Sequence, residues 1–274
     1  IEPNLSEDVY AMLYAPTGGI VCPFKMTIAL AENAFENGVS FRFQTEVKSI
    51  SRKMVSGMPD GYLVQTADAE YECRAVVNAA GVYADIFNNM VSSHSLHITP
   101  RRGEYILMDK KAGDFVSHTV FQQPTRLGKG ILVTPTVHGN LLAGPTAEDI
   151  SDKEATNTTA EGLSQVMEKA RLSASRVPLN MAITSFSGLR ACEEKGDFVL
   201  GEAEDAPGFF NAAGIPDFPV HLQSAYCWQD RLRRSCTLPK KQNFMRRERI
   251  FPALPHPRRR KSRPLSLPIL PMET

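Results

Sequence analysis

Glycine disappears from this chain after Gly214, although 18 glycines precede that point in a sequence of 274 residues. Residues 217–274 instead carry 13 Lys/Arg against 4 Asp/Glu and 8 of the 19 prolines. Without glycine for tight turns or a sustained apolar period, that basic tail is expected to stay unpacked. Long apolar runs are missing too. Stretches such as residues 75–80 and 131–133 fall far short of the ~20 residues a bilayer-spanning helix needs, so no transmembrane segment is expected. The five cysteines (Cys22, Cys73, Cys192, Cys227 and Cys236) never fall in Cys-x-x-Cys spacing, which argues against a zinc site and against a disulfide framework. A reducing, cytoplasmic setting without a metal centre is the matching expectation. The opening Ile1-Glu2-Pro3-Asn4 has neither the basic start nor the apolar stretch of a signal peptide and reads as a chain opened upstream.

What is present is ordinary globular material, 42% hydrophobic and 22% charged, enough for one large or two modest domains. Residues 25–37 keep helical spacing through Ile28, Leu30, Ala31, Ala34 and Phe35, and Gly38 follows where a left-handed cap belongs. Strict alternation in Val39-Ser40-Phe41-Arg42-Phe43 predicts a strand, continued by Glu46-Val47-Lys48-Ser49-Ile50. Asp60-Gly61 is a turn dipeptide before Tyr62-Leu63-Val64-Gln65-Thr66, and residues 75–81 read as a strand buried on both faces. Short strands are predicted over 105–108, 116–121, 131–134 and 140–143, a helix over 159–171, and strands over 198–201 and 209–214. The order suggests an α/β nucleotide-binding portion interrupted by a mostly antiparallel second domain, α+β overall.

Val76-Val77-Asn78-Ala79-Ala80-Gly81 ends a buried strand in small residues before a predicted helix, which lets backbone approach a ligand and aims helix N–H groups at an anion. The same arrangement occurs in most α/β proteins, so it does not decide alone. Several segments in order are more specific: Tyr14-Ala15-Pro16-Thr17-Gly18-Gly19-Ile20-Val21-Cys22-Pro23-Phe24, the Asn78 segment, Ile98-Thr99-Pro100-Arg101-Arg102-Gly103-Glu104-Tyr105, Leu132-Val133-Thr134-Pro135-Thr136-Val137-His138-Gly139-Asn140, Ser187-Gly188-Leu189-Arg190, and Pro207-Gly208-Phe209-Phe210-Asn211-Ala212-Ala213-Gly214-Ile215. In that order they resemble the D-amino-acid-oxidase-like FAD-dependent oxidoreductases, in the branch of glycerol-3-phosphate dehydrogenase and L-2-hydroxyglutarate oxidase. The resemblance implies FAD as cofactor, a small anionic hydroxy acid or glycerol phosphate as substrate, hydride transfer to the flavin, and an electron acceptor it does not identify. It further implies Val47 near the adenine, Asn78, Ala79, Ala80 and Gly81 along the phosphate-ribityl region, and Gly214 and Ile215 near the isoalloxazine.

Arg190 is the candidate for gripping the substrate anion, because guanidinium offers a planar fork to carboxylate or phosphate; the competing reading is a surface arginine after a glycine bend. Arg102 is a second candidate, though with Arg101 and Glu104 it could equally form a solvated ion-pair cluster. Among His97, His118 and His138, His118 is the candidate base on a predicted strand, with a structural role equally open to each. The resemblance runs from about Ile1 to Ile215, and two departures accompany it: no Gly-x-Gly-x-x-Gly occurs, and Pro216-Asp217-Phe218-Pro219 follows Ile215. The expected division is a partial FAD-binding, Rossmann-like domain over 1–95, a substrate-binding domain over 96–190, a return to the first domain over 191–216, and a tail over 217–274. The chain as written is expected to be an inactive fragment. Clusters such as Arg246-Arg247-Glu248-Arg249 and Arg258-Arg259-Arg260-Lys261 raise a nucleic-acid reading, but the tail fits a shifted reading frame better, so no nucleic-acid partner is expected. A cofactor-free binder of small anions is the other alternative.

Overall fold

The computed structural model describes residues 1–123, 130–196 and 198–215, so the expectations for the tail lie outside the described residues. Helix α1 spans Pro23–Glu36, with proline in the first turn where its missing N–H costs nothing. It ends in a Schellman-type cap: Gly38 has φ +87, and Val39 N donates to Ala34 O at 3.1 Å. None of its residues is buried.

The predicted strand at 39–43 does not form. Val39, Phe41 and Phe43 are exposed, and no strand lies beside them. Alternation favours an extended chain, but a strand also needs a neighbour for its backbone groups. The first paired strands are β1 (Val47–Val55), β2 (Met58–Thr66) and β3 (Glu70–Cys73), an antiparallel sheet in the order β1-β2-β3. Strand β4 (Val76–Asn78) leads through a 3-10 turn at Gly81–Tyr83 into α2 (Ala84–Val91).

Strand β5 (Ile98–Met108) begins seven residues before the predicted start, because Pro100 and Gly103 mask it in the sequence. It joins β6 (Val120–Phe121), β7 (Leu132–Pro135), β8 (Leu141–Gly144), β9 (Glu148–Asp149) and β10 (Ala182–Glu193) in one sheet of order β10-β5-β8-β7-β6, with β9 also on β5. Helix α3 (Ala160–Ser173) starts at Thr159, whose hydroxyl accepts from Gly162 N. Val166 and Ala170 of α3 pack on Ile106, Met108, Val133, Leu141 and Ala143, the core of this half. One face of the sheet is thereby covered. The chain closes with β11 (Val199–Ala203) and β12 (Ala206–Ala213). Strand β12 lies antiparallel to β11 and parallel to β4, pairing Phe209 with Val76 and Asn211 with Asn78. The two segments assigned to one nucleotide-binding portion are therefore direct neighbours. Among the described residues no helix is long and apolar enough to cross a membrane, and no group of three or more His, Cys, Asp or Glu could hold a metal ion.

Candidate active site

Strands β5 and β10 pair so that Arg101 faces Arg190, Gly103 faces Gly188 and Tyr105 faces Phe186. Opposite residues share a face, and every second pair returns to it. The face away from α3 thus presents an arginine pair, a glycine pair and an aromatic pair in succession. The Tyr105 and Phe186 rings stack at 5.0 Å with 11° between their planes. Gly188 is mid-strand, so the glycine-bend reading of Arg190 is replaced by an extended strand that projects the guanidinium over a side-chain-free stretch of sheet.

The three arginines have different surroundings. Arg101 holds Asp149 through Nε at 2.6 Å and Nη2 at 2.9 Å, which keeps the Asp149 carboxyl below its ordinary range. Arg102 points to the α3 side, is buried, and donates to Glu148 at 2.7 Å with Glu104 at 3.6 Å. The structure therefore does not bring Arg102 onto the face of Arg190. Half-buried Arg190 donates only to the Thr146 carbonyl, at 3.3 and 3.5 Å, and has no anionic partner among the described residues.

At the ends of β4 and β12 the tetrapeptide Asn-Ala-Ala-Gly occurs twice, as 78–81 and 211–214, on neighbouring parallel strands. Gly81 and Gly214 both take positive φ, 58° and 64°, a conformation in which other residues are strained. Asn78 Nδ2 donates to Ala84 O and to Asn211 Oδ1, both at 2.8 Å, and Asn211 Nδ2 donates to Asn88 Oδ1 at 2.7 Å. Asn88 Nδ2 in turn donates to His94 O at 2.9 Å. Backbone carbonyls at both ends accept only, so they fix which way each amide points. Asn78 Oδ1 is left buried without a partner among the described residues. The sequence holds the signal for Asn211, the repeated tetrapeptide, but gives none for Asn88.

Residues 1–222 match the family described as FAD dependent oxidoreductase. The chain belongs to this family. It is 54% identical over 215 residues to glycerol 3-phosphate dehydrogenase of Caloramator mitchellensis, covering 78% of this chain and 44% of that protein. Glycerol 3-phosphate oxidase of Mycoplasma pneumoniae is 32% identical over 222 residues, covering 78% and 56%. The solved L-alpha-glycerophosphate oxidase of Mycoplasma pneumoniae with FAD bound superimposes with a TM-score of 0.70 at 30% identity, over 80% of this chain and 57% of that one. The chain spans about half the length of the curated relatives it matches.

For an FAD-dependent oxidoreductase the turn after β4 is suitably placed, since ligands of such sheets sit at the carboxyl ends of parallel strands. A Cβ at Gly81 would meet nothing within 4 Å, and buried Asn78 retains an unused acceptor. The first turn of α2 carries buried Asp85, which accepts from Ile86 N at 2.9 Å and Ile98 N at 3.1 Å and pairs with Lys153 at 2.5 Å. Val47 packs with the Ile50, Tyr62 and Phe209 cluster, while Gly214 and Ile215 are buried and Ala79 is exposed.

His118 precedes β6 rather than lying on a strand. Glu2, buried and missed by sequence reasoning because 116 residues separate the pair, sits 2.5 Å from its Nδ1 and accepts from Ser117 N at 3.0 Å. Tyr14 meets the ring edge-on at 5.4 Å. Strand β6 and strand β10 are at opposite ends of the sheet order, four spacings or about 19 Å apart. Among the described residues no contact joins His118 to Arg190. His97 and His138 are exposed.

Beside α2, Asp205 accepts from Ser92 Oγ at 2.6 Å, Ser93 N at 2.7 Å and Ser93 Oγ at 2.6 Å, which holds its carboxyl well below the usual carboxylate range. A depressed folded value means that this contribution is present above about pH 4 and is lost as acid carries the pH down through the folded value. Melting midpoints of the protein and of Asp205→Asn should therefore converge on acidification. A gap between them that stays constant down to about pH 2 would contradict this linkage.

Proposed function

We propose that this chain carries the substrate-anion site and part of the flavin site of an FAD-dependent dehydrogenase or oxidase acting on glycerol 3-phosphate, or on a similar small anionic hydroxy compound such as L-2-hydroxyglutarate. The observation that carries the reading is half-buried Arg190, which has no anionic partner among the described residues, whereas Arg101 opposite it and Arg102 have theirs. Desolvation strengthens an ionic hydrogen bond, and a planar fork matches two oxygens of one phosphate or carboxylate. The stacked Tyr105 and Phe186 supply an apolar wall that keeps water from one side of the bound anion.

Asn78, Ala79, Ala80 and Gly81 would hold the flavin on one strand end and Gly214 and Ile215 on the next, with the backbone at Val47 on the adenine side. A flavin bound there would supply the two-electron acceptor for the hydride of the carbon that bears the hydroxyl. Arg190 fixes the far, anionic end of the substrate, so the reacting carbon is presented in one orientation.

Arg190→Lys keeps the charge but loses the fork, and is expected to weaken glycerol 3-phosphate binding by about tenfold or more, the size of one charge-assisted hydrogen bond. Equilibrium titration of the two proteins checks this. Equal affinities would mean that Arg190 does not hold the anion.

A further inference from the structure

We propose that Gly103 is a positioning residue of the anion site, the space of its absent side chain being the seat of the Arg190 guanidinium. The inference rests on the reading of Arg190 as the anion ligand. A Cβ built on Gly103 would stand 2.9 Å from Arg190 Nη2, 3.2 Å from Arg190 Cζ and 2.9 Å from Pro145 Cβ. Carbon does not pack that closely, so alanine at this position would displace the guanidinium. Gly188, directly opposite on β10, differs: a Cβ there meets nothing within 4 Å. Neither glycine takes a positive φ, so backbone conformation explains neither, and only the one under the arginine needs to lack a side chain.

The other side of the seat is equally constrained. Thr146 is tied to β5 twice, its hydroxyl accepting from Glu104 N at 3.0 Å and its N–H donating to Glu104 O at 3.2 Å. Its carbonyl accepts from both terminal nitrogens of Arg190, at 3.3 and 3.5 Å. An arginine held between Gly103 and that carbonyl loses its rotamer freedom before an anion arrives, and pre-ordering of this kind raises affinity without adding a contact to the ligand.

The test is titration of glycerol 3-phosphate into the full chain and three variants. Gly103→Ala should lower affinity about tenfold. In Arg190→Ala, added guanidinium ion should refill the seat and restore binding, whereas in Arg190→Ala combined with Gly103→Ala it should restore nothing. If Gly103→Ala does not fold, the Arg190→Ala arm decides: rescue by guanidinium no better than by ammonium at equal ionic strength overturns the seat. Parent-like binding by Gly103→Ala, or equal rescue in both backgrounds, overturns it as well and leaves Arg190 as ligand intact. Failure of the parent chain to bind glycerol 3-phosphate takes down the anion-site reading and the seat together.

Discussion

Replacing Gly162 by alanine should destabilise the fold by about 3 kcal/mol or more, although propensity alone favours alanine over glycine in a helix by about 1 kcal/mol. The sign is decided by Glu104, which is fully buried on β5 and accepts from Thr159 N at 2.8 Å and Thr159 Oγ1 at 2.9 Å at the start of α3. A Cβ at residue 162 would collide with Glu104 Oε1 and lie 2.5 Å from its Cδ. Either the helix start moves away from the sheet or the carboxyl abandons its donors, and a buried carboxyl without donors is costly. At roughly 2–4 °C per kcal/mol for a chain of this size, the melting midpoint should fall by about 10 °C. A midpoint at or above that of the parent would show that Glu104 does not pack against the helix start as described.

Asn211→Asp should make stability depend on pH in a direction opposite to that of Asp205. One carboxylate oxygen can still accept from Asn78, but the other would face Asn88 Oδ1 across the 2.7 Å now spanned by an N–H. Only the protonated acid can donate there, so its folded pKa is raised above the ordinary ~3.9 of an aspartate. The variant should approach parent stability below about pH 4 and lose several kcal/mol as pH rises through the raised folded value. Denaturant midpoints near pH 4 and pH 8 measure it. A difference from the parent that does not change with pH would mean that the amide directions assigned to the chain are wrong.

Much of the fold was legible where pattern and partner coincide. Residues 75–81 read as a strand from their apolar run, and β4 forms there, but Val77 is exposed, so the strand is covered on one face and not on both as expected; α3 announced itself through Thr159 and the spacing of Val166 and Ala170. Strand β10 was not legible. Its alternate residues include Ser185, Ser187, Gly188 and Arg190, and neither face of it shows an apolar period, since one side meets Arg102 and Glu104 and the other is the candidate site. The strand exists because β5 offers it a ladder, which is tertiary information. Residues 39–43 failed in the opposite sense, with a perfect alternation and no neighbour.

The site divided along the same line. Arg190 was singled out by its chemistry, because a guanidinium fork suits a carboxylate or phosphate. What separates it from Arg102 is not local: the carboxylates of Glu148 and Asp149 come from β9, and only the fold reveals which arginines they neutralise. His118 looked comparable from the sequence, and the strand order alone sets it at the far edge of the sheet. Asn211 could have been found from the repeated Asn-Ala-Ala-Gly, since identical turns on two strands invite a side-by-side arrangement.

The most direct test of the account is a crystal structure of the chain grown with glycerol 3-phosphate. The account predicts the phosphate within about 3 Å of two nitrogens of Arg190, over the glycine pair and against the Tyr105–Phe186 stack, the distance expected of charge-assisted hydrogen bonds. Phosphate bound elsewhere, with Arg190 turned to a protein carboxylate, would contradict it.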